Sequence, residues 1–133
     1  MGFSHPVLVV DDDYTIQAII SHILNEEGLT PVTCEDGEMA LQMISALEFK
    51  LAIIDLTLPK VDGWKVAEKL IETSPNASIM FITSTVTAKS EKYRFDNFDH
   101  NDIDVFYKPI LDREGFIEAV KSLLEVSIAK EID

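Results

Sequence analysis

The stretch LAIIDLTLPKVDG at residues 51–63 decides the fold of this chain. Its first four residues form an unbroken apolar run, and Asp55 follows at the end of that run. Apolar runs without polar alternation are typical of strands that are buried on both faces of a parallel sheet. The residues after Asp55, with Pro59 and Gly63 among them, favour a turn. The stretch therefore predicts a buried strand that ends on a carboxylate.

Four other short apolar runs have the same character, and segments with helical periodicity lie between them. The runs are Val7 to Val10, Val32 to Cys34, Ile79 to Ile82 and Val105 to Tyr107. Right-handed crossovers convert five repeats of strand and helix into an α/β fold, a doubly wound five-stranded parallel sheet with helices on both faces. A chain of 133 residues has the usual size of one domain. We predict a single domain over 1–133, with a core over about 6–127 and short tails.

The intervening segments carry apolar stripes at helical spacing. The first stripe is Ile16, Ile19, Ile20, Ile23 and Leu24, the second Ala40, Met43, Ile44 and Leu47, the third Ala67, Leu70 and Ile71, and the last Phe116, Val120, Leu123 and Leu124. Asp13 can cap the first helix and Gly28 can end it. In the segment 86–101, Tyr93, Phe95 and Phe98 make no clean stripe among charged neighbours, and we predict a helix there as well. The final residues SIAKEID resemble a tail.

Composition excludes several classes of function. The formal charge is −13, from 24 acidic and 11 basic side chains, and no run of Lys or Arg is present. Such a charge repels phosphate backbones and anionic lipid, so we expect no direct binding to nucleic acid or membranes. Cys34 is the only cysteine, which excludes an internal disulfide. No apolar run approaches the length that spans a membrane, and we expect a cytoplasmic location.

Polar residues stand at the predicted carboxyl ends of the strands, where open parallel sheets bind their ligands. They are Asp11, Asp12 and Asp13, then Asp55, then Thr83 with Ser84, then Lys108. Each pair of carboxylates about 5 Å apart repels by roughly 3 kcal/mol at an effective dielectric of about 20, so the cluster takes up protons or binds a cation. Oxygen ligands without a His or Cys cluster predict Mg²⁺, with Mn²⁺ or Ca²⁺ as alternatives.

Each of these residues alone has an ordinary structural explanation. Asp12 and Asp13 can cap a helix, Asp55 can cap a turn, and Thr83 and Lys108 can be a strand-end threonine and a surface lysine. Together, on successive strands of one edge, they favour phosphoryl transfer. Asp55 would be the nucleophile beside a divalent cation, Thr83 a hydroxyl donor to a phosphoryl oxygen, and Lys108 the neutralising charge.

The whole set of motifs resembles the response-regulator receiver family, the CheY-like domains. The matching stretches are VLVVDDDYTIQ, CEDGEMAL, LAIIDLTLPKVDG, IMFITS and FYKPI, in the order of the family. The resemblance implies a flavodoxin-like sheet of strand order 2-1-3-4-5 and a phosphoacceptor at Asp55. It also implies metal ligation by Asp11, Asp12, Asp55 and the backbone carbonyl of Thr57, a switch hydroxyl at Thr83, and a Lys108 that pairs with the phosphoryl group and precedes a cis proline.

The same resemblance implies partners in two-component signalling. The phosphoryl group would come from a sensor histidine kinase or a phosphotransfer protein. A downstream protein target would bind the face made by the fourth helix, the fifth strand and the fifth helix. One departure lies on this face: the family has its switch aromatic three residues before the lysine, and here that residue is Val105.

Two other functions remain open from the sequence. A receiver-like interaction module that works without phosphorylation would lack an acidic residue or the lysine, and none is missing here. A phosphatase with an aspartate nucleophile would carry a second aspartate where this chain has Thr57. We therefore expect a phosphoacceptor switch with self-catalysed phosphotransfer and autodephosphorylation rather than an enzyme. The chain fits a stand-alone receiver and a piece of a larger regulator equally well.

Overall fold

The structure is a computed structural model that describes residues 5–84, residue 98 and residues 102–132. Its five strands are β1 Pro6–Val10, β2 Thr30–Cys34, β3 Leu51–Asp55, β4 Ser78–Thr83 and β5 Ile103–Tyr107. All neighbours pair in parallel, and the strand order is β2-β1-β3-β4-β5. The predicted doubly wound sheet of order 2-1-3-4-5 is confirmed.

Helices connect the strands in the described part of the chain. They are α1 Tyr14–Glu26, α2 Gly37–Ala46, α3 Gly63–Thr73 and α4 Arg113–Ile132. The predicted helix over 86–101 lies outside the described residues, apart from the buried Phe98. None of the helices in these described ranges is long and apolar enough to cross a membrane.

The ends of the first two helices follow from local chemistry. The Asp13 carboxylate accepts the N–H groups of Thr15 and Ile16 at the start of α1, and Gly28 beyond its end has φ +79°. Both predictions for this helix are confirmed. The prediction that Leu47 belongs to the stripe of α2 is wrong. Leu47 has extended backbone angles beyond the last helical turn, and 45% of its surface is exposed.

Helices cover both faces of the sheet, and alternate residues of each strand face opposite clusters. Along β1, Leu8 and Val10 pack toward α2 and α3, whereas Val7 and Val9 pack toward α1 and α4. Every residue of β3 and β4 is buried. Burial of each large apolar side chain stabilises the fold by about 1.5–3 kcal/mol, so the two clusters fix the strand ends that carry the polar residues.

The last helix extends past the predicted core boundary near residue 127. Ser127 is fully buried, and Ile128 packs one turn beyond Leu124 against the same apolar cluster. Lys130 Nζ lies 2.7 Å from Asp102 Oδ2, and Glu131 pairs with Lys50. Residues 127–132 thus continue the helix, with Ser127 and Ile128 packed on the core, rather than forming a tail. The serine in the stripe concealed the continuation from the sequence pattern.

Ending the chain at Ser127 should lower the free energy of unfolding by about 2 kcal/mol, because the packing of Ile128 is lost. The measurement is the urea denaturation midpoint by circular dichroism. The matched control is Lys130→Ala with Glu131→Ala, which removes only the ion pairs and should cost less than about 1 kcal/mol. An unchanged midpoint in the shortened chain would contradict the packed end of α4.

Candidate functional site

The sheet brings the polar strand ends together. Asp55 is the last residue of β3, which lies between β1 and β4 in the sheet. Carboxylate oxygens of Asp11, Asp12 and Asp55 all lie within 4.8 Å of one another. Asp11 and Asp55 are buried, whereas Asp12 is exposed to solvent. The predicted carboxylate cluster is therefore present, and it opens to solvent at Asp12.

Lys108 bridges the two buried carboxylates. Its Nζ lies 3.0 Å from Asp55 Oδ2 and 2.7 Å from Asp11 Oδ2, and only 14% of its side chain is exposed. The Lys108 N–H donates to the carbonyl of Thr83, which joins the end of β5 to the end of β4. The peptide bond between Lys108 and Pro109 is cis, as predicted.

Burial and charge act against each other at this cluster. Burial raises the pKa of Asp11 above its ordinary value of 3.8, and the charge of Asp55 adds to the rise. The Lys108 ammonium and the Asp13 N–H oppose that rise without cancelling it. Burial also lowers the pKa of Lys108, but its contacts with Asp11 and Asp55 outweigh burial and raise that pKa overall. The surroundings thus favour the ammonium form of Lys108, whereas burial disfavours the ionised form of Asp11.

The loop 56–62 after β3 is attached directly to Asp55. The Thr57 N–H donates to Asp55 Oδ1 over 2.9 Å. Where the loop enters α3, a Cβ on Gly63 would lie 2.3 Å from the Asp55 carbonyl oxygen, far inside any real contact. Only glycine fits at that position. A glycine is therefore needed eight residues after Asp55, because the start of α3 lies directly against the end of β3.

The residues present fit a hard divalent cation. Three carboxylates and one ammonium give the cluster a formal net charge of −2. The buried Asp11 Oδ2 accepts no well-directed hydrogen bond within the described residues, even with Lys108 nearby. An oxygen-only ligand set that is open on one side suits Mg²⁺, which keeps several of its waters. Asp11, Asp12 and Asp55 are the side chains able to bind it.

Other predicted residues have varied positions. Thr83 is buried at the end of β4, one residue beyond the register partner of Asp55, and Ser84 is exposed. The Asp13 side chain caps α1, which is the ordinary explanation for that residue, and its N–H donates to Asp11 Oδ1. Gln17 is a site residue that was not predicted from the sequence, and its Nε2 donates to the carbonyls of Asp11 and Cys34. Its signal was a polar residue one turn before Ile20 in an apolar stripe.

A doubly wound α/β domain with an acidic cluster and a lysine at the carboxyl ends of its strands is the class that this sheet and site define. The family model for the response regulator receiver domain matches residues 7–121. The chain belongs to the response regulator receiver domain family.

Curated relatives and solved structures agree with this assignment. The transcriptional regulatory protein SrrA of Staphylococcus aureus is 31% identical over 91% of this chain and 48% of its own length. A protein-glutamate methylesterase/protein-glutamine glutaminase of Syntrophus aciditrophicus is 28% identical over 93% of this chain and 38% of its own. The chain thus spans less than half of these relatives. In fold, a CheY-like receiver domain from Methanospirillum hungatei has a TM-score of 0.85 at 23% identity, covering 96% of this chain and 99% of that one.

Lys108→Met should lower the free energy of unfolding of the metal-free protein by about 2–3 kcal/mol, since it leaves two buried carboxylates without their cation. Added Mg²⁺ should then stabilise the variant more than it stabilises the wild type. Urea unfolding with chelator and with Mg²⁺ measures both effects. Lys121→Met, which breaks the exposed pair with Glu27, is the control and should cost at most about 1 kcal/mol.

Asp11→Asn should raise the urea midpoint of the metal-free protein at neutral pH, because the ionised carboxylate is held in the fold against a raised pKa. A raised folded-state pKa means that the wild type loses stability as the pH rises from 3.8 through that value. The advantage of the variant should therefore fade on acidification. Stabilisation by Mg²⁺ should fall in the variant. A lower midpoint than wild type at neutral pH would contradict this account of Asp11.

Proposed function

We propose that this receiver domain accepts a phosphoryl group on Asp55, in a Mg²⁺-dependent reaction, from a histidine kinase or a phosphotransfer protein. Phosphorylation then changes the affinity of a surface for a downstream protein. The observation that carries the proposal is the cluster itself. One partly buried ammonium contacts Asp11 and Asp55, and the exposed Asp12 would complete a cation site beside the acceptor.

The chemistry needs few groups besides the acceptor. An Asp55 carboxylate oxygen forms the new O–P bond while the N–P bond of a phosphohistidine breaks, and the leaving imidazole nitrogen keeps the electron pair and takes up a proton. Phosphoryl transfer depends mainly on alignment and charge neutralisation. The Thr57 N–H orients the carboxylate through Oδ1, and Lys108 lies on the Oδ2 side. The proposed role of Thr83 is to donate its hydroxyl to a phosphoryl oxygen.

The metal completes the charge balance. Asp11, Asp12, Asp55 and the backbone carbonyl of Thr57 would bind Mg²⁺, which supplies positive charge to the phosphoryl oxygens. Without a cation, a dianionic phosphoryl group would approach a cluster of net negative charge, which is unfavourable by several kcal/mol at these separations. The single positive charge of Lys108 does not neutralise the carboxylates and the phosphoryl group together. Dependence on a divalent cation therefore follows from the charge of the site.

We place the output surface along β5 and α4, which correspond to the fifth strand and the fifth helix of the family. The predicted fourth helix lies outside the described residues, apart from Phe98. Tyr107 and Leu111 are 45% and 86% exposed on this side, while Phe106 packs edge to face on Phe116 at a centroid distance of 5.3 Å. Val105, at the position of the family's switch aromatic, packs against the opposite core cluster. The proposed switch would therefore act through a shift of the strand and its exposed Tyr107 rather than through rotation of an aromatic at 105.

Incubation with acetyl phosphate and Mg²⁺ should add one phosphoryl group to the wild type, detected by intact-mass spectrometry, and none when chelator replaces the metal. Asp55→Asn should abolish the adduct because it removes the nucleophile. Asp104→Asn, which changes an exposed aspartate of β5, is the matched control and should leave the adduct unchanged.

The other two functions give different results in the same experiment. An interaction module that works without phosphorylation would show no adduct in the wild type. A phosphatase would release phosphate from an ester substrate over many turnovers. An adduct that persists in Asp55→Asn would reject Asp55 as the acceptor.

A further inference from the structure

The first residue of α2 touches the loop that carries the contacts of Asp55. Gly37 is buried, and a Cβ at this position would lie 2.2 Å from the Val61 carbonyl oxygen and 2.7 Å from Val61 Cβ. Real Cβ atoms do not approach other atoms closer than 3.0 Å. The start of α2 and the end of the loop 56–62 therefore meet backbone to backbone, and the absence of a side chain at residue 37 is what permits it.

The loop has little freedom to yield to such a side chain. At its far end, Gly63 packs on the Asp55 carbonyl with no room for a Cβ. The Val61 side chain packs against the core cluster formed with α2 and α3. Lys60, next to Val61, has φ +65°, which costs a non-glycine residue roughly 1–2 kcal/mol. A strained residue of this kind persists only where the surroundings impose its conformation.

The contact at Gly37 is steric rather than electrostatic. A charged pair beside it, which includes the next residue of α2, joins Lys60 and Glu38 over 3.9 Å, and both side chains are 60% exposed. An exposed pair of this kind contributes at most about 1 kcal/mol. The backbone contact of Gly37 with Val61 is thus the tight link between α2 and the loop.

We propose that Gly37 is a positioning residue for Asp55. It lets the loop settle against α2, and the settled loop presents the Thr57 N–H to Asp55 Oδ1. A methyl group at residue 37 pushes the Val61 peptide away, moves the loop and weakens that hydrogen bond. This inference rests on the proposed phosphorylation of Asp55, but its structural part concerns the metal-free loop.

Gly28 offers a matched control. Its φ of +79° makes alanine strained there, yet a Cβ at Gly28 would meet nothing within 4 Å. Gly28 also lies just before β2, at the sheet edge opposite Asp55. Gly28→Ala should therefore lower the free energy of unfolding through backbone strain without touching the loop. Gly37→Ala should lower it by a similar amount through the clash, and should also change the site.

Two measurements separate positioning from stability. The first is hydrogen exchange of the Thr57 amide in the metal-free protein, and the second is the limiting phosphorylation rate at saturating Mg²⁺ and acetyl phosphate. Gly37→Ala should speed the exchange and lower the limiting rate about ten- to a hundredfold, as misplaced reacting groups do, whereas Gly28→Ala should stay within about twofold of wild type in both.

Each result decides a separate point. Equal behaviour of the two variants at equal stability would overturn the role of Gly37. A wild type that takes no phosphoryl group would overturn the proposed function, while the exchange of Thr57 would still test Gly37. If Gly37→Ala does not fold in buffer, trimethylamine N-oxide restores folding by its exclusion from the surface, and the comparison with Gly28→Ala is made in that solvent.

Discussion

The electrostatic balance among Lys108, Asp11 and Asp55 is the interaction on which the rest of this domain depends. The Lys108 ammonium lies 2.7 Å from a carboxylate oxygen of Asp11 and 3.0 Å from one of Asp55, and all three groups are largely out of water. Taking such groups out of water costs several kcal/mol per ion, and one lysine does not compensate three nearby carboxylates. The charges of the metal-free site are therefore only partly compensated, and a buried oxygen of Asp11 is left without a well-directed hydrogen bond within the described residues.

This imbalance persists because the surrounding fold cannot relax it. Asp55 ends a strand whose five residues are all buried, and its neighbour β4 is buried along its whole length. Moving Asp55 away from Asp11 would open the packing of both core clusters, at a cost far above the repulsion it would relieve. The loops and side chains around the edge are thus the parts that can respond to a ligand.

The sequence predicted what depends on periodicity and on strand ends. The order of elements, the carboxylate cluster and the edge with Lys108 follow from apolar runs that each end on a polar residue. Features that depend on contacts between residues far apart in the sequence could not be predicted from periodicity. Gly37 has no room for a side chain because the start of α2 lies against Val61. The hydrogen bonds from Gln17 to the carbonyls of Asp11 and Cys34 require β1 and β2 to end side by side. The apolar Leu47 made the second helix appear longer than it is, whereas the polar Ser127 made the last helix appear shorter.

The position of Lys108 connects the site to the least buried part of the sheet. It follows β5 directly, and its N–H is bonded to the end of β4. β5 is an edge strand with no fully buried residue, in contrast to β3 and β4. Val105 and Phe106 nevertheless reach opposite core clusters. Lys108 is thus bonded to an edge strand that is less buried than β3 and β4 and that still contacts both core clusters, so the proposed transmission of a charge change from Asp55 to the surface would run through β5.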